Sequence, residues 1–209
     1  MVASLKDANK LPLLAAMVAN LAVFYAAVKT DAIIGGAWLD VARSLTEALP
    51  AGLGLVLIGI VNAQLSADAK ARIVFFRWQN PLPGSHAFTH YSATDPRIDL
   101  GFLEEAHGPL PTDPRQQNAL WYKLYKSVEK DASVMQVHRE FLFARDYTCL
   151  ALMMAILLGG AGLVQIPSSG TALSYLGVLV VQFLLAGRAA RNHGRRFVTT
   201  VLALKGAGR

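Results

Sequence analysis

At 209 residues, 54% apolar and only 16% charged, with a mean hydropathy of +0.37, the chain carries too little charge to be an ordinary water-soluble domain. Its single cysteine, Cys149, excludes an intramolecular disulfide, and a net charge of +6 directs attention to anionic partners.

Residues 11–28 contain no Asp, Glu, Lys or Arg and are strongly apolar, close to the ~20 residues that cross a ~30 Å hydrocarbon core. Lys6 and Lys10 precede this run in the manner of a signal peptide. Cleavage, however, would leave an odd number of spans and break the charge pattern described below, so a retained span is expected. A second charge-free run covers 48–67. A third, 147–187, is about twice the spanning length, and Ile166-Pro167-Ser168-Ser169-Gly170 at its centre is turn chemistry. The sequence therefore predicts four transmembrane helices in two hairpins, at 11–28, 48–67, 147–166 and 171–187.

Orientation follows from Lys and Arg, which are retained on the cytoplasmic side of span ends. Residues 1–10 hold two, 29–47 two, 68–146 ten, 167–170 none, and the tail from Arg188 onward six. Eighteen of twenty thus fall on one side. The expectation is a multi-pass protein of the inner membrane with both termini and residues 68–146 in the cytoplasm.

Residues 68–146 carry ten acidic and ten basic side chains, the balance of a folded helical domain rather than a linker. No Gly or Pro interrupts the start of this segment before Asn80-Pro81, so the second span is expected to continue into it and to carry Arg72, Arg77 and Trp78 just beyond the headgroups. Asn80-Pro81-Leu82-Pro83-Gly84 must end that helix, and an irregular run to Asp95-Pro96 is expected. Asp99 is placed to cap a short helix over 100–106, ended by Gly108-Pro109. Thr112-Asp113-Pro114-Arg115-Gln116 has the pattern of a capping box and predicts a helix from Pro114 to about Lys130, with Leu120, Leu124 and Val128 beside Trp121 and Tyr125 on one apolar face. After Asp131 another helix carries Val134, Val137, Phe141 and Ala144 on one stripe and runs into the third span without a breaker. The tail has six basic residues and no acids, with Arg188, Arg191 and Arg195 at helical spacing before an apolar patch at 197–204. Ordinary positive-inside flanking charge accounts for most of this signal, and the alternative is a segment that lies on an anionic leaflet.

The spans contain no ionisable side chain of the kind that ion-coupled carriers place in the bilayer. Their polar residues are Asn20, Asn62 and Gln182 within the apolar depth and Gln165 near the outer surface. Asn and Gln at such depth serve as interhelical hydrogen bonds worth roughly 1 kcal/mol each, or line a polar path in an oligomer. Ala151, Ala155 and Gly159 form a small-xxx-small ladder suited to close helix packing. Of the five histidines only His86 and His90 have chelating spacing; they lack a third ligand, so no metal is expected. No nucleophile elbow or phosphate-cradling glycine motif occurs, and neither catalytic residue nor cofactor is assigned. An acid/base pair at the inner interface, such as His138 with Asp146, is poor, because eight helical residues separate them by about 12 Å.

The candidate binding set is aromatic and basic: Arg72, Arg77, Trp78, Trp121, Lys123, Lys126, Arg139 and Arg145, with Tyr122, Tyr125 and His138 nearby. It could hold a nucleotide, a lipid headgroup or an acidic partner, although Trp121 and Tyr125 also suit a packed core. The charge fits an anionic membrane surface better than nucleic acid. In layout alone, four spans with an inner folded module, the chain resembles the small four-span membrane subunits of bacterial anti-phage systems, including the Kiwa type and several effectors held to form pores. That resemblance implies a role in antiviral defence, while the folded inner module, the small-residue faces and the missing catalytic groups point to a homo-oligomer with a cytosolic protein partner on 68–146. The reading is a non-enzymatic oligomeric membrane sensor, scaffold or pore-type effector. A small-solute channel needs Asn20, Asn62 and Gln182 on one path, and a membrane-embedded lipid enzyme needs the poor acid/base pair.

Overall fold

The computed structural model describes residues 7–206 and is all-helical, with no strand among the described residues. Lys6 and Arg209, counted above with the flanking charges, lie outside them. Helices α1 (Lys10–Val28), α2 (Thr30–Ile34), α3 (Trp38–Arg43) and α4 (Leu49–Gln64) are followed by α5 (Ala67–Phe75), α6 (Leu100–His107) and α7 (Pro114–Val128), then by the long α8 (Ala132–Gln165) and α9 (Ser169–Gly206). Four helical stretches are long and apolar enough to cross a membrane: Asp7–Val28, Trp38–Gln64, Ala132–Gln165 and Ser169–Gly206.

The chain forms two compact units. One comprises Asn9–Leu65 and Asp146–Ala186, the apolar unit; the other, the helical module, is built, among the described residues, from 7–8, Ser66–Arg145 and 187–206. Helices α8 and α9 each contribute one part to each unit.

Within the apolar unit, Met17, Phe24, Leu55, Leu150, Met154, Leu158, Tyr175 and Leu179 pack together. The Phe24 and Tyr175 rings lie 6.0 Å apart. Much of α1 and α4 nonetheless presents bare hydrocarbon, with Leu11, Leu14, Val18, Leu53, Val56 and Leu57 all more than half exposed. Helices apolar on every side satisfy their backbone internally and need a non-aqueous surround. The connection between α1 and α4 is more ordered than a loop. It holds α2, α3 and a 3-10 turn, fixed by Tyr25 Oη donating to Val41 O at 2.6 Å and by a 2.7 Å Lys29–Glu47 ion pair.

The expected continuation of the second span into 68–78 does not occur. α4 stops at Gln64, Leu65 is extended, and Ser66 starts α5 by accepting from Ala69 N at 3.1 Å. A serine side chain that satisfies a first-turn N–H makes a break as well as a proline does. Asp68 in that first turn adds the favoured charge. α5 then ends on Phe76 in the left-handed region, φ +52°.

Three sequence readings match the module closely. Asp113 Oδ1 accepts from Arg115 N and Gln116 N, both at 3.0 Å, to open α7. Asp99 accepts from Phe102 N to open α6, which ends at Gly108 with φ +77°. α8 runs unbroken through Arg145-Asp146. The region expected to be irregular instead winds through successive short turns, Pro83–His86, Ala87–Tyr91 and Ser92–Thr94.

The larger departure concerns the tail. Residues beyond 187 continue the last apolar helix as α9, and Phe197, Val198, Val201 and Leu202 are buried among Val74, Leu103, Trp121, Leu124, Val134 and Phe141. Spacing of i, i+1, i+4 and i+5 gives one apolar stripe, and a protein core, not a leaflet, covers it. Each such large aliphatic or aromatic side chain contributes about 1.5–3 kcal/mol by leaving water.

Candidate functional site

With the tail's apolar stripe turned into the core, Arg188, Arg191 and Arg195 fall on an adjacent face of α9. They line a cleft of about 350 Å³ together with Arg77, His90 and Asn192, over Phe75 and Tyr91. Arg191 is fixed in place. Its Nη1 donates to Val74 O at 2.7 Å, capping the C-terminal end of α5, and its guanidinium lies 5.5 Å from the Phe76 ring centre. The left-handed turn at Phe76 that makes this stacking possible costs a bulky residue roughly 1–2 kcal/mol, partly returned by the cation–π contact.

Arg77 follows that turn, and its Nη1 is buried with no hydrogen-bond partner. No carboxylate among the described residues pairs with Arg77, Arg188 or Arg195. The positive field is felt nearby. Burial first, and then Arg77 and His90, push the His86 imidazole below its ordinary pKa.

Two neighbouring clefts differ in charge balance. The larger, about 720 Å³, includes Arg195, Arg196, Ser133 and Thr199 but also Asp95. Asp95 is locked to Arg97 by two hydrogen bonds of 2.9 and 2.7 Å, and those bonds hold its pKa at about 2. Arg196 is 3.8 Å from Glu140. The other, about 460 Å³, takes in Arg72, Trp78, Arg115 and Asn118 with Asp68 at its rim. Of these three clefts, the α9 cleft is the one that gathers cations without an acid on its walls.

The sequence-derived set is therefore dispersed. Arg72 and the largely exposed Trp78 share one cleft and Arg77 lines another. Trp121 is core, stacked on Tyr125 and edge-on to Phe197. Lys123 and Arg139 are exposed on α7 and α8, Lys126 pairs with Glu129, and Arg145 is buried over the Phe141 ring. His138 stacks on Phe197 at 4.5 Å with Tyr125 Oη 3.2 Å from its Nδ1, a packing role that leaves it turned toward an aromatic cluster. His86 and His90 meet no third metal ligand among the described residues.

Of the polar residues in the candidate spans, two have separate partners. Asn20 Nδ2 donates to Ala16 O of its own helix at 2.8 Å, and Gln182 Nε2 donates to Tyr147 Oη. Asn62 is buried with its Oδ1 unpaired. Ala151 and Ala155 are buried, and a Cβ on Gly159 would come within 2.7 Å of Leu176 Cδ1 on α9 of the same chain.

Two features of the module escaped the sequence. The arginines of α9 were visible at helical spacing, but the apolar patch beside them pointed to a leaflet instead of a core. Gln117, wholly buried, ties α7 to the 87–91 turn: its Oε1 accepts from Phe88 N at 3.0 Å and Thr89 N at 3.3 Å, and its Nε2 donates to Thr112 O at 2.8 Å. Its neighbour Gln116 drew attention as the capping-box residue, and Gln116 is exposed.

Comparison with protein families, with curated sequences and with solved structures returned no match to this chain.

Proposed function

We propose that this chain is a non-enzymatic, oligomeric, multi-pass protein of the bacterial inner membrane, with its spans in two hairpins and both termini and the helical module in the cytoplasm. The module receives a ligand or protein partner, and the spans act as the sensing or effector part. The observation that carries the reading is that α9 is one helix serving both purposes. Its apolar first part belongs to the apolar unit, and its last part supplies both the module's core and three arginines of an uncompensated cleft. A ligand held by Arg188, Arg191 and Arg195 touches the same helix that runs through the span.

The charge asymmetry, eighteen of twenty basic residues on one side, supports the orientation. The bare hydrocarbon of α1 and α4 supports burial in lipid and against further copies. The layout it shares with four-span anti-phage subunits suggests a defence effector. A solute channel gains less support, since Asn20 and Gln182 already have partners of their own.

Native mass spectrometry of the full-length protein in nanodiscs, after cross-linking in cells, tests the reading. A discrete homo-oligomer, or a cytosolic protein cross-linked to residues 66–145, is expected. A monomer without any cross-linked partner contradicts it.

A further inference from the structure

The strongest feature of the molecule that the receptor reading leaves unassigned is the chemistry of the α9 cleft. Four guanidiniums, from Arg77, Arg188, Arg191 and Arg195, converge on about 350 Å³ with His90 beside them and no carboxylate on the walls. Like charges gathered this way repel one another, and a fold keeps them together at a cost unless something negative completes the set. Here the cluster is built as well as crowded. Arg191 is anchored on Val74 O and Phe76, and Arg77, whose Nη1 is buried without a hydrogen-bond partner, lines the same cleft with no acid paired to it.

Guanidinium forks match the oxygen spacing of phosphate and bind it through paired charge-assisted hydrogen bonds. The cleft volume suits a phosphate with a small substituent, near the lower end of small-ligand sites. Position along the helix narrows the source. Arg188 is the first charge after the apolar run 147–187, and at 1.5 Å per residue Arg195 lies about 10 Å further along α9. That is the depth of a headgroup layer and the water next to it.

We infer that the Arg77–Arg188–Arg191–Arg195 cleft binds a phosphate group, carried by an anionic lipid headgroup or by a soluble phosphate compound, and that this anion is the ligand of the receptor proposed above. The inference rests on that reading for its purpose but not for its readout, since phosphate binding is measured independently of oligomer mass and protein partners.

The test uses the full-length protein in nanodiscs of phosphatidylcholine alone and of phosphatidylcholine with phosphatidylglycerol or phosphatidic acid. Retained lipids are counted by native mass spectrometry. In a second arm, pyrophosphate and ATP are titrated into the phosphatidylcholine discs, with sodium chloride of equal ionic strength as reference. Retention of an anionic lipid identifies the headgroup as source, and saturable binding of a soluble phosphate identifies the free compound; either supports the site. Arg188→Gln with Arg195→Gln is expected to weaken that binding at least ten-fold, and Arg77→Gln alone to weaken it measurably. Arg115→Gln with Lys130→Gln removes equal charge from the module outside the cleft and should leave binding unchanged. Absence of binding in both arms overturns the inference, as does equal loss in the two double variants, which would reduce the effect to net charge.

Discussion

Replacing Gln117 by leucine probes the module at the point where a buried side chain stands in for backbone hydrogen bonding. The wide turn at Ala87–Tyr91 directs the N–H groups of Phe88 and Thr89 at Gln117 Oε1, and Gln117 Nε2 satisfies Thr112 O just before α7. Leucine fills nearly the same volume, so the cost is almost wholly polar. An orphaned buried N–H at Phe88 costs about 1–3 kcal/mol, and the lost bonds to Thr89 and Thr112 about 1 kcal/mol each. The sum, about 3–5 kcal/mol, corresponds to a fall in melting temperature of about 10 °C or more for a module of this size. Tryptophan emission is a suitable probe in thermal unfolding of the detergent-solubilised protein, because Trp121 is 6% exposed while Trp38 and Trp78 are 62% and 83% exposed. The neighbouring Gln116→Leu, on an exposed side chain, should shift stability by no more than about 0.5 kcal/mol. Equal shifts for the two variants, or a Gln117→Leu cost below about 1 kcal/mol, would refute the assignment of Gln117 as the staple.

Gly84→Ala should lower stability by about 1–3 kcal/mol, because its Cβ would sit 2.5 Å from Trp121 Cε3 and 2.6 Å from Asn118 Oδ1; unchanged melting would show that the 83–86 turn does not press on α7 as described. His138 gives the module an acid limit. Burial, and then Arg145, lower its pKa from 6.5 to about 4, so between those values the unfolded chain takes up a proton that the folded one refuses. Stability is therefore full above pH 6.5 and is lost as pH falls toward 4, by at most about 3 kcal/mol and by less where water screens the ring. Melting curves of the parent and His138→Phe from pH 7.5 to 4 should diverge in that window, and parallel curves would contradict the role given to the ring.

Much of this was legible in the chain itself, for reasons that can be named. The spans are readable because hydrocarbon tolerates so few residue types, and α6 and α7 because Asp99 and Asp113 put their acceptors where a first helical turn needs them. The break at Leu65-Ser66 was not, since serine caps only when its rotamer is used that way, and Ser66 sits in a sequence with no proline or glycine to announce it. The burial of the tail's apolar stripe was not legible because such a stripe on a basic helix looks alike whether lipid or protein covers it; the complementary faces carrying Leu103, Leu124 and Val134 decide. The arginine cleft was hidden for the same cause. Arg77 is 111 residues from Arg188 in the chain, and no spacing rule joins them.

Cysteine accessibility measures directly which side of the membrane the module faces. In a Cys149→Ser background, single cysteines at Ser127 in the module and at Gly36 between α2 and α3 are challenged with a membrane-impermeant maleimide on intact spheroplasts and again after lysis. Labelling of Gly36→Cys in intact cells, and of Ser127→Cys only after lysis, is the predicted result. Labelling of Ser127→Cys from outside would place the arginine cleft on the wrong face of the membrane and contradict the receptor proposed here.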